Sequence, residues 1–87
     1  MDILKCKAFV TAADEGSFTA AGKIMGYTPS GISQLVAAME KEFGFSLLMR
    51  KSNGVVLTRE GEYIYPLVIE FIEKETELYK AATELSG

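Results

Sequence analysis

Apolar residues in the first half of the chain recur with the period of a helix. Residues 3–14 place Leu4, Ala8, Val10 and Ala12 on one broad apolar face, and Gly16 stops that pattern. Ser17 is a favoured N-cap, which predicts a short second helix over residues 18–25 with Ala20, Ala21, Ile24 and Met25 inward. Gly26 fits the position just beyond its end. Thr28-Pro29 starts a third helix. Thr caps it, and Pro suits the first helical position, where a missing N–H costs nothing. Ile32, Leu35, Val36 and Met39 then recur at helical spacing through Glu42, and Gly44 ends the run.

The pattern changes after Gly44. Phe45 to Met49 reads as a short strand, Ser52-Asn53-Gly54 as a turn and Val55-Val56-Leu57 as a returning strand. Asn-Gly is among the strongest hairpin signals. Thr58 caps a last helix that runs to about Leu85. Two short helices joined by a tight turn form a helix-turn-helix, and a hairpin directly after the third helix is a wing. The predicted fold class is mainly α with a small β-hairpin: a winged helix-turn-helix over residues 1–57, followed by a linker and dimerisation helix over residues 58–87.

That last helix carries its own signal. Ile64, Val68, Phe71, Glu75, Leu78, Ala82 and Leu85 are spaced alternately by four and three, with Tyr65, Ile72 and Tyr79 widening the stripe. This is a coiled-coil repeat with one polar break at Glu75. A helix with such a stripe needs a partner. The pattern alone leaves that partner open: it could be another helix outside this chain or this chain's own first helix, and residues 64–71 could serve both. Pro66 removes one backbone bond, which predicts a bend near Glu62.

Composition narrows the function. The 87 residues make one domain, and with one Cys and no His they offer neither an internal disulfide nor a zinc site. Cys6 reads as a small buried hydrophobe. No apolar run reaches the roughly 18 residues of a membrane span, and Met1-Asp2-Ile3-Leu4-Lys5 lacks a secretory layout. The reading is a soluble cytoplasmic protein that meets no membrane. No His and no Gly-rich phosphate loop leave little for catalysis, so an enzyme is not expected. The net charge of −3 works against nucleic acid. Its distribution softens that objection: residues 1–61 hold seven basic and six acidic side chains, whereas residues 62–87 hold two and six.

Positions 30, 33, 34 and 37 share one face of the third helix, opposite the apolar 32, 35, 36 and 39. That face is short, polar and uncharged. Gln34 could pair bidentately with adenine, and Ser30 and Ser33 with several base edges; a merely solvated face is the alternative. Arg50 and Lys51 precede the wing turn, where a cation suits phosphate or a narrow minor groove, or serves solubility alone. Ser17 and Thr19 open the second helix and could donate to phosphate, although capping also accounts for Ser17. Gly31 costs about 1 kcal/mol in a helix interior, which makes sense if something approaches closely there.

The series Gly16-Ser17-Phe18-Thr19-Ala20-Ala21, Met25-Gly26, Thr28-Pro29-Ser30-Gly31-Ile32-Ser33-Gln34, Met39-Glu40, Gly44, Leu47-Leu48-Met49-Arg50, Leu57-Thr58 and Gly61 resembles the N-terminal DNA-binding domain of LysR-type regulators. Four positions depart from the pattern: Pro29 and Gln34 stand where many members have Gln and Arg, Ala37 where a basic residue is frequent, and Leu48 in place of Phe. The resemblance implies a bacterial, sequence-specific transcription regulator that binds an inverted repeat in double-stranded DNA. Ser17, Thr19, Thr28, Pro29, Ser30, Ser33, Gln34, Arg50, Lys51, Ser52 and Asn53 would contact DNA. Ile64, Val68, Phe71, Ile72, Leu78, Tyr79 and Ala82 would join an antiparallel homodimer. No cofactor is expected in these residues, and a small-molecule effector would be sensed by a further domain. A winged helix used only for protein contacts is the other reading.

Overall fold

Each helix begins on a side chain that replaces a missing backbone partner. A computed structural model describes residues 2–87. It contains α1 (Ile3–Glu15), α2 (Phe18–Met25), α3 (Pro29–Phe43), β1 (Leu48–Lys51), β2 (Gly54–Leu57) and α4 (Arg59–Ser86). The carboxylate of Asp2 accepts from Lys5 N at 2.9 Å, Ser17 Oγ from Ala20 N at 3.0 Å, Thr28 Oγ1 from Gly31 N at 3.0 Å and Thr58 Oγ1 from Gly61 N at 2.9 Å. Such caps satisfy the otherwise unpaired N–H groups of a first helical turn.

The core lies where α1, α2 and α3 meet, closed by Leu47, the hairpin and the first half of α4. Phe9, Ile32, Met39, Leu47, Val36 and Cys6 are its largest fully buried side chains. Burial pushes the Cys6 thiol pKa up, in keeping with a packing role. Leu35 and Met25 pack against this cluster from its rim. Ile24, expected inward, is instead 62% exposed. A helix of only eight residues shows the core a narrow face, and Ala21 and Gly22 occupy it.

The sheet is a two-stranded antiparallel hairpin with Leu48 opposite Leu57 and Lys51 opposite Gly54. Its first strand was expected at 45–49 and lies instead at 48–51. The Glu40 carboxylate takes the N–H groups of Leu47 and Leu48 at 2.6 and 3.2 Å, so the chain turns onto α3 before the ladder starts. The turn also moves. Ser52 and Asn53 form its two-residue tip, and Gly54 is already a strand residue. No described non-glycine residue has a positive φ, so the mirror-image turn typical of Asn-Gly does not form. Gly54 has a different reason to be glycine. Its φ is 140°, and a Cβ there would overlap the Gly16 carbonyl oxygen, which accepts from Val55 N at 3.0 Å.

The helix α4 passes through Pro66 as one continuous element. Val68 is buried, and Ile64, Tyr65, Ile69 and Ile72 pack on the core, whereas residues 76–86 are exposed throughout. Tyr65 fixes this helix to α1. Its ring meets Phe9 edge-on at 6.3 Å, and its hydroxyl donates to the Asp14 carboxylate.

The Asp14 hydrogen bond, helped by burial, holds the Tyr65 phenol above its ordinary pKa. A phenol whose pKa is raised by folding contributes stability in full below the unfolded value of about 10, and that contribution is lost as pH climbs through the folded value. Tyr65→Phe should lower stability by about 1 kcal/mol or less at neutral pH. It should also remove part of the decline above about pH 10. Urea midpoints of both proteins from neutral to alkaline pH check this, and parallel curves would contradict it.

Candidate nucleic-acid interface

The turn between α2 and α3 is short and closed on the backbone of Gly22. Gly26 N and Tyr27 N both donate to the Gly22 carbonyl at 2.8 Å, and a Cβ on Gly22 would overlap the Tyr27 carbonyl oxygen. What approaches Gly31 is likewise this chain's own turn: a Cβ there would meet Thr28 Oγ1 at 3.1 Å and the Tyr27 ring at 3.5 Å. The turn sets α3 across α2 with its N-terminus outward.

Ile32, Val36 and Met39 are buried on one side of α3. Ser30 and Gln34 therefore face solvent, with Ser33 half-buried between them. The wing stands beside this face. Between them lies an open groove of about 580 Å³, lined by Ser17, Phe18 and Thr19 of the α2 start, Pro29, Ser30, Ser33 and Gln34 of α3, and Arg50, Lys51, Gly54 and Val55 of the hairpin. Eight of the eleven residues expected to touch DNA are in that lining, contributed by three separate elements. Thr28, Ser52 and Asn53 lie outside it. The Thr28 hydroxyl is engaged in its cap and lies 3.2 Å from Ser30 Oγ. Ser52 and Asn53 sit exposed at the wing tip.

Electrostatics favour an anion here. The groove lining carries Arg50 and Lys51 and no carboxylate. The Arg50 guanidinium carbon sits 5.0 Å from the centroid of the Phe18 ring. This cation–π contact holds the long side chain toward the start of α2. Phe18 escaped the sequence reading, because an aromatic residue one step after a cap looks like core. Among the described residues no group of acidic or cysteine side chains is arranged to hold a metal ion, and no helix is long and apolar enough to cross a membrane.

The outer face of α4 is apolar but differs from the expected stripe. Val68, 4% exposed, is consumed by the core, and Ile64 and Ile72 are half-buried against it. The exposed line is Tyr63, Leu67, Phe71, Leu78 and Leu85, with Leu67 at 52% and Leu85 at 90%. It lies about a quarter of a turn around the helix from Val68. Phe71, Leu78 and Ala82 belong to it; Tyr79 is exposed but lies nearer the core-facing side. Tyr63 and Leu67 were missed, although Leu67 stands four residues before Phe71.

Residues 4–62 match the model of the bacterial regulatory helix-turn-helix proteins of the lysR family. The chain is 38% identical over 65 residues to a probable HTH-type transcriptional regulator, LtrA, of Klebsiella pneumoniae, covering 75% of this chain and 21% of that protein. It is 32% identical over 88 residues to the uncharacterized HTH-type transcriptional regulator YvbU of Bacillus subtilis (strain 168), covering 100% of this chain and 30% of that protein. It thus spans between a fifth and a third of these relatives. The structure resembles that of BenM_DBD in complex with catB site 1 DNA, with a TM-score of 0.93 at 25% identity over 100% of this chain and 98% of the other. With the matched segment covering well over half the chain, and with its turn, third helix and wing arranged around one groove, the chain belongs to the lysR family of bacterial regulatory helix-turn-helix proteins and forms its winged helix-turn-helix DNA-binding domain.

Proposed function

We propose that this domain places a cytoplasmic transcription regulator on an inverted repeat in duplex DNA. The N-terminus of α3 enters the major groove, and the wing lies over the flanking minor groove. The observation that carries this reading is the carboxylate-free groove in which Ser17, Thr19, Ser30, Ser33, Gln34 and Arg50 converge. The positive end of α3 and the hydroxyls beside it suit phosphates. Gln34, exposed and one turn from Ser30, is placed to read adenine N6 and N7. Arg50 is placed to follow the narrow groove beside it. BenM_DBD, at 25% identity, is a relative crystallised with DNA, which supports the same use of the fold here.

Two copies would meet through α4. The exposed stripe from Leu67 to Leu85 is long, apolar and continuous with the core-packed half of the helix. An antiparallel pair related by a two-fold axis presents two α3 helices to successive major grooves on one face of the duplex. Regulation by a small molecule would belong to a sensing domain in the longer protein.

Selection from a pool of randomised duplexes tests base reading. Gln34→Ala should relax preference at one base step, at a cost of about 1–3 kcal/mol, and leave neighbouring steps intact. An unchanged selected sequence would remove Gln34 from that role. Sedimentation tests the pairing. The wild type at micromolar concentration should run at about twice the chain mass, and Phe71→Asp at the chain mass, because a buried charge has no partner in an apolar seam. A wild type that stays monomeric at high concentration would end the dimer proposal.

A further inference from the structure

The wing and α3 are separate readers, and their separation has to be fixed by something. We propose that Glu40 is the positioning residue that fixes it, and that the same side chain ties both readers to the start of α4. This inference rests on the duplex-binding reading above.

Glu40 sits in the second half of α3, one turn beyond Val36. Its Oε2 accepts from Leu47 N at 2.6 Å and from Leu48 N at 3.2 Å. Two neighbouring N–H groups converging on one carboxylate oxygen are charge-assisted hydrogen bonds, shorter and stronger than neutral ones. They fall at the point where the hairpin ladder begins. Leu48 is the first paired residue of β1 and Leu47 precedes it. Without Glu40 the Leu47 N–H, on a fully buried residue, would lose its acceptor.

Side-chain packing does not do this work alone. Between α3 and the hairpin lies a cleft of about 120 Å³, lined by the apolar Phe18, Val36, Leu48 and Val55 as well as by Ser33, Ala37, Glu40, Met49 and Arg50. Glu40, itself part of this lining, bridges α3 to the segment that enters β1.

The other side of the same segment holds α4. Thr58 N donates to the Leu47 carbonyl at 2.9 Å and Thr58 Oγ1 to the Ser46 carbonyl at 2.7 Å. Thr58 Oγ1 also accepts from Gly61 N, and a side chain on Gly61 would overlap the Leu47 carbonyl. Residues 46–48 are thus gripped from α3 by a carboxylate and from α4 by its capping threonine. A shift at Glu40 moves Arg50 relative to Gln34 and moves the root of the linker helix with it.

The test uses the duplex that the wild-type chain recovers from a randomised pool, mapped by hydroxyl-radical protection. Glu40→Ala should reproduce the Arg50→Ala footprint, with flanking minor-groove protection lost, central protection kept and affinity down about tenfold. Glu40→Gln should restore the flanks and bind within about threefold of wild type, because its amide oxygen still accepts. Retained flanking protection in Glu40→Ala overturns the proposal. So does equal loss of central and flanking protection in a variant that keeps its native circular dichroism. Amide hydrogen exchange without DNA is a second arm. Exchange at residues 47–51 should quicken in Glu40→Ala while α1 and α2 stay protected, and unchanged wing exchange overturns the proposal. If the wild type protects no duplex, the DNA reading falls and the exchange arm alone decides the role of Glu40. If Glu40→Ala does not fold, Glu40→Asp, shorter by one methylene and so drawn back from the Leu47 and Leu48 N–H groups, carries that arm: faster exchange at residues 47–51 than in the wild type supports the proposal and unchanged exchange overturns it.

Discussion

The burial of Ile32, Val36 and Met39 fixes the rotational phase of α3, and the recognition surface depends on that phase. Each such side chain contributes about 1.5–3 kcal/mol when fully removed from water. A slip of one residue would turn the helix by about 100° and carry Gln34 toward the core. The polar side therefore needs no stabilising contacts of its own. Its serines and glutamine are free to face a ligand because the opposite side of the helix does the holding. The tight turn at Gly22 and the Thr28 cap then fix the axial position, so that the first turn of α3 is the part that projects.

Net charge is a poor guide here because the charges are segregated. The groove presents Arg50 and Lys51 without a carboxylate, while six acidic residues lie between Glu62 and Glu84, on a helix whose far half projects from the core. At physiological salt, exposed charges more than about 8 Å apart are largely screened, so the groove's own lining matters more than the net charge of the chain. Beside these two cations the groove lining presents the hydroxyls of Ser17, Thr19, Ser30 and Ser33 and the amide of Gln34, so it is polar rather than strongly basic.

Most of the fold was legible because its signals are local. A cap, a helical period and a terminating glycine each occupy a few consecutive residues, and Ser17, Thr28 and Thr58 mark helix starts where the structure has them. What escaped was set by partners distant in sequence. The first strand begins later than its apolar run because Glu40, seven residues before Leu47, claims the backbone there. Ser52-Asn53-Gly54 read as the turn, but Gly54 already belongs to the second strand and answers to the Gly16 carbonyl on another element. Ile24 has an inward-reading spacing on a helix too short to bury it. On α4 the heptad pattern found an apolar helix but not which stripe the core consumes; Val68 and Leu67 are adjacent in sequence and take opposite roles. For the candidate site, the residue types on α3 and the wing could be read directly. The Phe18 ring beside Arg50 could not, because it depends on how the wing folds back over α2.

In the proposed complex this groove holds the DNA backbone and its base edges with few charges. The most direct measurement is the affinity of the wild-type chain for a selected duplex across a salt series from about 0.05 to 0.3 M. Two cations per groove and two grooves per dimer predict a linear fall of log K against log salt with a slope of about −4, since each neutralised phosphate contributes about −0.9. Binding that is absent at the lowest salt, or that does not weaken as salt rises, would contradict the account.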